Sequence, residues 1–468
     1  MYRFALILLF IPVPLLAQDI VRAEQIAIGK GCRVTQMKTD KDDNFYVTGY
    51  LIGKADFNPS GKSMEVSTKN TRDIFIAKYN ADNELQWVNQ VRQREKFANT
   101  WAFLDVDPAG NVIVGGSFEK GLLIGEEEDQ QIATFGREDI YILKMSPAGQ
   151  TLWWKHVGGL HMDIVSAVKT NSKGDIFVTG QFSGPVDFDP GKGKSILQAE
   201  SQNVFVAKYT ADGQFGWVRH ISESNNQPGT APQIIIDQQD QIYIAGQFNN
   251  NPNFDADKGK YEFRSAGINP HLYLAKYNEE SDLQWARRLN IEGRPKGSSV
   301  SAINISENGN IYLTGRVLQL TIDEKMDPDH QPMNAYACCF NQKGEQLWGT
   351  IMSSEAQSFS NAICVNGNND IILAGGFEGF FNLENGQQMV SNGVDAVLIK
   401  LDKNGKVTTA VQVSGDGEQG FECLAQRNDG KLLAVGTFNL HSDIYTLKKL
   451  RTYKDEIDSN FPLAVIVD

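Results

Sequence analysis

NVFVAKYTADGQFGW, residues 203–217, alternates apolar and polar positions, breaks at a polar turn, and resumes as a second short run ending in tryptophan. Nine residues separate Lys208 from Trp217, and the same nine separate Lys78 from Trp87, Lys144 from Trp153 and Lys276 from Trp285. A fifth copy keeps the spacing with Cys339 ahead of Trp348. A constant spacing through turns such as Ala81-Asp82-Asn83 and Pro147-Ala148-Gly149 is the mark of a β-hairpin. A slip of one residue would turn every side chain to the wrong face of the sheet.

Working outward, an apolar residue stands four positions beyond each tryptophan (Val91, Val157, Ile221, Leu289, Met352), an even spacing that keeps both on one strand face. A second series precedes the hairpins: NFYVTGY from Asn44, NVIVGGSF from Asn111, DIFVTGQF from Asp175, QIYIAGQF from Gln241, NIYLTGRV from Asn310, DIILAGGF from Asp370 and KLLAVGTF from Lys431. Its seven copies lie 60 to 69 residues apart, and each follows another apolar run such as AFLDVDPAGN from Ala102. Each unit therefore holds four antiparallel strands, with short turns after the first and third and a connection of about 20 residues between the second and third. The expected fold is all-β, a seven-bladed β-propeller of four-stranded antiparallel blades. A parallel β-helix, with one strand per rung, does not produce hairpins at constant spacing.

Closing such a ring needs an outer strand for the last blade, because the seventh unit lacks the tryptophan pattern. RAEQIAIGKG from Arg22 aligns with WARRLNIEG from Trp285, so residues 19–29 are expected to complete that blade and close the ring. Its third strand is read at Asp443–Leu450; NFPLAVIVD from Asn460 competes for the fourth. The expected domains are a signal peptide at 1–17, the propeller at 18–450, and a tail at 451–468 that is a candidate extra strand.

The N-terminus, MYRFALILLFIPVPLLAQD, joins a positive flank at Arg3 to a short apolar run and the ending Leu15-Leu16-Ala17. Cleavage after Ala17 and export are expected, and no later stretch approaches the ~20 apolar residues of a membrane helix. Losing Arg3 moves the formal net charge from -13 to -14, which speaks against nucleic acid and anionic lipid as partners. Five scattered cysteines (Cys32, Cys338, Cys339, Cys364, Cys423) do not form a disulfide framework and read as small buried residues.

GGLHMDIVSAVKTNSKGDIFVTGQF from Gly158 resembles the bacterial β-propeller repeat called SBBP, with its paired glycines, polar loop, apolar strand, Asn/Gly turn and Val-Thr-Gly strand. The resemblance covers nearly the whole mature chain and is best from Cys32 to Met352. It implies an exported protein of the bacterial periplasm, cell surface or exterior, and no agreed catalytic residues.

Antiparallel order puts the first-to-second and third-to-fourth turns at one end of every unit. The second-to-third and interblade loops gather at the other, where a protein or glycan partner is expected. The alternate acids Asp187 and Asp189, with Asp255 and Asp257, and more loosely Asp56 and Asn58, suggest the start of a calcium cage. The twelfth position, which should be Glu, is Gln198, Ala266 or Ser67, so a turn is the stronger reading and no metal or cofactor is expected. Trp101, outside the hairpin pattern, is a candidate stacking residue for sugar or peptide. The hairpin tryptophans read as core, and the recurring lysines as packed stems with amines at the blade margin. GDGEQG from Gly415 matches a phosphate loop but precedes a strand. His156, His161 and His220 lie near fourth-strand ends, too thin a signal to name a base. The reading is a monomeric, non-enzymatic scaffold or interaction module; the alternative is a polysaccharide lyase or hydrolase on the same frame.

Overall fold

A computed structural model describes residues 20–27, 29, 31–59, 61–93, 101–124, 131–221, 232–248, 251–255, 271–289, 294–318, 333–367, 369–383, 386, 388–415, 419–438, 441–444, 451–454 and 461–467. Among them every regular element is a strand, and all pairing between strands is antiparallel. The first unit is a meander of Cys32–Thr39, Phe45–Asp56, Glu65–Tyr79 and Leu85–Gln93. Equivalent meanders begin at Ala102, Ile164, Gln233, Arg294 and Gln357.

The nine-residue spacing has a specific cause. Lys208 faces Trp217 directly, and the register then shifts so that Tyr209 faces Phe215. The turn ahead of this bulge needs one residue in the left-handed region, supplied by Asn83 (φ 66°), Gly149 (82°), Gly213 (81°), Ser281 (67°), Gly344 (77°) and Gly405 (80°). Asn80 shows how the turn is tied: its Oδ1 accepts from the N–H groups of Asp82 (3.0 Å) and Glu84 (2.8 Å).

The tryptophans do more than fill the core. The indole N–H of Trp87 donates to Pro147 O (3.0 Å), that of Trp217 to Glu279 O (3.2 Å), that of Trp285 to Gln342 O (3.1 Å) and that of Trp348 to Lys403 O (3.0 Å). Each acceptor belongs to the third-to-fourth turn of the next unit, so these half-buried rings latch neighbours together.

The second-to-third connections also differ from the loops expected. In the first, second, third and sixth units the two strands pass a bulge and run on as a longer hairpin. Leu122–Ile124 of one extension pairs with Val91–Gln93 of the preceding unit, and Val186 and Asp187 of another pair with Gly159 and Gly158. These two hairpins are backbone staples between units, and Phe57 and Phe188 lie buried at the tips of the first and third units' hairpins.

Side chains pack between units in clusters that each span two successive meanders. Phe118, Tyr141 and Ile76 join the first and second; Phe177, Phe248 and Tyr273 the third and fourth. Cys423, Leu433 and Val435 pack against Cys32, Val34, Phe45 and Phe75, so the terminal unit meets the first. Across that same junction Asn428 donates from its backbone N–H to Asp43 Oδ1 (2.8 Å) and from Nδ2 to Lys41 O (2.7 Å).

The terminal unit holds Gly420–Gln426, Leu432–Phe438, Phe461–Val467 and Ile20–Gln25, paired in that order. Phe461–Val467, expected as a tail or a rival for the fourth strand, is the third; the N-terminal strand pairs outside it. Asp443–Leu450 was the expected third strand, but His441–Ile444 instead pairs with the sixth unit's Val413–Gly415 and with Arg451–Lys454. A central strand is flanked on both edges, which favours the uncharged run FPLAVIV over one carrying Lys448 and Lys449. The chain is a repeat protein of the β-propeller type. All five cysteines are buried free thiols.

Candidate functional site

Trp101 heads the second unit's first strand and is 53% exposed. Asp187 and Asp189 lie on the third unit's hairpin tip, where Asp187 Oδ1 accepts from the N–H of Asp189 (3.2 Å) and of Ser195 (2.8 Å), and Asp189 Oδ1 from the N–H of Gly191 (2.8 Å). Asp56 repeats the arrangement with Asn58 (2.9 Å) and Met64 (2.8 Å). Those oxygens therefore hold turns. Tyr209 adds a hydroxyl bond to Phe188 O (2.9 Å), and Tyr277 the same to Phe254 O (2.9 Å). Asp255 follows in that tip, its N–H donating to Asn253 Oδ1 (3.1 Å), while Asp257 lies outside the described residues. Among the described residues no group of three or more His, Cys, Asp or Glu is arranged to hold a metal ion.

The recurring lysines are tied to turns. Lys144 meets Asp107 Oδ2 at 2.8 Å and donates to Ala211 O (2.8 Å); Lys208 pairs with Asp175 (2.9 Å) and Glu279 (3.1 Å), Lys400 with Asp370 (2.8 Å). Lys78 and Lys276 each sit 5.1 Å from the centre of a tyrosine ring, Tyr46 and Tyr243.

At the loop end of the second and third units the structure gathers groups that the sequence left scattered. Phe135, 62% exposed, stacks on His156 with ring centres 4.2 Å apart and planes 2° from parallel. Asp139 Oδ2 lies 2.6 Å from His156 Nε2 and accepts the Phe135 N–H (2.6 Å). The next connection packs alongside: a Cβ on Gly136 would fall 2.4 Å from Gly159 O and from the carbonyl carbon of Leu160, which is 68% exposed. Beneath this surface Glu138 faces Glu119 across the ladder. Burial first, then Glu119, Asp163 and Asp139, push the Glu138 carboxyl up to about 7. Burial likewise lifts Asp163 to about 6, against the N–H groups of Gly159 (2.7 Å) and Ser183 (3.2 Å) that it accepts.

The Asp139–His156 pair has a repeat origin. Asp73 accepts from Gln90 Nε2 (2.7 Å) and Asp395 from Gln412 Nε2 (2.6 Å), each again 17 residues apart. Histidine stands where the first and sixth units carry glutamine, so the pair first serves to join third and fourth strands. That 17-residue spacing was legible in the sequence.

A cavity of about 630 Å³ lies at the opposite end, where the first-to-second turns of the first four units meet. Lys38, Asp105, Thr170 and Ile236, from four adjacent first strands, line it, and it runs outward to Tyr46, Lys78 and Pro147. Although burial works the other way, Lys38, Lys169 and the bonds from Thr170 hold the Asp105 carboxyl below its ordinary range. Asp107 is also lowered, by Lys144 and Asn111, against burial. The lifted carboxyls and the cavity thus occupy opposite ends of the units. No motif marks the cavity, because Asp40, Asp42, Asp107 and Asp237 read singly as turn residues and Asp105 as one polar position in a strand.

No protein-family model matches the chain. An uncharacterised WD repeat-containing protein of Acanthamoeba polyphaga mimivirus is 22% identical over 88% of this chain, which spans 35% of that protein's length. Among solved structures, the periplasmic gluconolactonase of Pseudomonas aeruginosa is 14% identical with a TM-score of 0.45, covering 90% of this chain and 99% of its own. Hydrazine synthase of Kuenenia stuttgartiensis is 10% identical with a TM-score of 0.43, covering 91% of this chain and 96% of its own. Neither structure, at such identity and score, bears on what this chain does.

Proposed function

We propose that the chain is an exported, closed seven-bladed β-propeller that binds a protein or glycan partner on its loop face, as a monomeric scaffold or interaction module of a bacterial cell envelope. The observation that carries the binding face is two exposed apolar side chains, Phe135 stacked on His156 and Leu160, whose backbone lies against Gly136 next to Phe135. Large apolar groups at the loop end of a rigid frame are what a partner buries. Trp101 offers a further exposed ring at the same end. Closure is supported by the packing of the terminal unit on the first and by the pairing of Ile20–Gln25 with Phe461–Val467. Export rests on the N-terminal pattern, and cleavage after Ala17 is checked by sequencing the N-terminus of secreted protein.

A lyase or hydrolase acting on polysaccharide is the second reading, and the lifted carboxyls of Glu138 and Asp163 are what favour it. Both Asp163 oxygens are engaged by backbone N–H groups, however, and a general acid must be free to reach a glycosidic oxygen. The test is capture from envelope extract, with a glycan array beside it, comparing the native chain with Phe135→Ala and Leu160→Ala. Loss of capture by folded variants is expected. Capture undiminished in both, or release of oligosaccharides from polysaccharide, would overturn the proposal.

A further inference from the structure

We infer that the cavity at the short-turn end is a second binding site, for a neutral mono- or disaccharide, and that Lys38 and Asp105 are its recognition pair. The site lies at the far end of the units from the loop face and stands independently of the partner proposed there.

Its floor is an incomplete polar arrangement. Asp105 is 5% exposed, and its Oδ2 is saturated by the N–H (2.8 Å) and hydroxyl (3.0 Å) of Thr170 from the next first strand. Its Oδ1 is buried yet accepts no hydrogen bond among the described residues; Lys38 Nζ stands 3.6 Å away, beyond hydrogen-bond reach. Buried polar atoms are ordinarily satisfied, so an acceptor left over beside the cavity, shut from solvent next to Lys38, points to a group that satisfies it once the exposed lysine swings aside. The Lys38 side chain is 45% exposed and carries donors of its own.

The chemistry of these groups selects the occupant. An ammonium only donates and a carboxylate only accepts, whereas a hydroxyl does both, so one hydroxyl accepts from Lys38 while donating to Asp105 Oδ1. An anion would meet Asp105, and a cation would meet Lys38. The whole lining gives no excess positive charge to hold a phosphate: three lysines stand against five aspartates. Val106, Pro108, Pro147 and Ile236 add apolar surface suited to the C–H faces of a sugar ring. A volume of about 630 Å³ is of the size that small-ligand sites have and takes one or two sugar rings.

The experiment is titration calorimetry on the purified chain with glucose, galactose, N-acetylglucosamine, maltose and cellobiose, with inorganic phosphate and citrate as charged controls. At least one sugar is expected to bind, and Lys38→Gln and Asp105→Asn each to weaken it about tenfold or more, the loss of one charge-assisted hydrogen bond. Because Asp105→Asn also disturbs Thr170, the exposed Lys38 is the variant that keeps the test clean, with circular dichroism confirming its fold. Phe135→Ala leaves this binding unchanged. No sugar bound at millimolar concentration, phosphate or citrate bound in preference, or affinity unaltered in Lys38→Gln overturns the inference.

Discussion

Glu138 and Glu119 face one another across an antiparallel ladder, an arrangement that repels when both are ionised. Glu138 is 4% exposed, and its carboxyl titrates near 7 in the folded chain against 4.5 ordinarily. A carboxyl raised on folding contributes stability that is fully present below about 4.5 and lost as pH climbs through about 7. Glu138→Gln is therefore expected to raise stability at pH 8 by on the order of 2–3 kcal/mol and to be nearly neutral at pH 4. Urea midpoints measured across that range check it; a variant whose midpoint parallels the native chain at every pH would refute the reading. Repetition, not chemistry, made the neighbouring Asp139–His156 pair recoverable from sequence: Asp73–Gln90 and Asp395–Gln412 share its spacing. Glu138 gave no such clue, since its shift depends on burial and on Asp163 arriving from another unit.

At the scale of elements, hairpins were legible because register and turn chemistry are both local. The left-handed residue and the bulge after it fix where Lys78 meets Trp87, and the same count recurs. Extensions of the second and third strands were not legible, because they depend on Gly53 and Gly184 taking positive φ (88° and 70°) at the bulge where the ladder resumes. Latches between units escaped notice for another reason: their acceptors lie some 60 residues away in the next turn, as Pro147 does for Trp87. One comparison isolates the latch from the turn. Gly405 and Gly430 both have φ above 79°, but a Cβ at Gly405 would fall 2.4 Å from the Trp348 ring while Gly430 has open space around it. Gly430→Ala is expected to cost about 1 kcal/mol of left-handed strain, and Gly405→Ala at least about 1 kcal/mol more by displacing the indole. Chemical denaturation ranks the two. Equal losses would mean the ring contact contributes nothing.

For the whole molecule, the question is how a chain of repeats avoids two raw ends. Inside the terminal unit, Leu432–Phe438 is paired along its length with Phe461–Val467, which in turn carries Ile20–Gln25 on its other edge. An N-terminal outer strand on the terminal unit was expected from the alignment; the inner place of the C-terminal run was not. Spacing located a third strand at Asp443, and nothing local said that His441–Ile444, with Arg451–Lys454 paired to it, would be diverted to the sixth unit's edge. The two terminal strands are therefore unequal. Deleting residues 1–19 removes none of this pairing and is expected to leave the melting temperature unchanged. Deleting 1–25 strips one outer ladder and exposes the edge of Phe461–Val467, so partial destabilisation and self-association follow. Deleting 461–468 removes two ladders at once and orphans the N-terminal strand, which predicts loss of cooperative unfolding and a rise in aggregation. Thermal melts by circular dichroism, with light scattering alongside, order the three truncations. If loss of the C-terminal strand proves milder than loss of the N-terminal one, the terminal unit is not built in this order and the proposed closure fails with it.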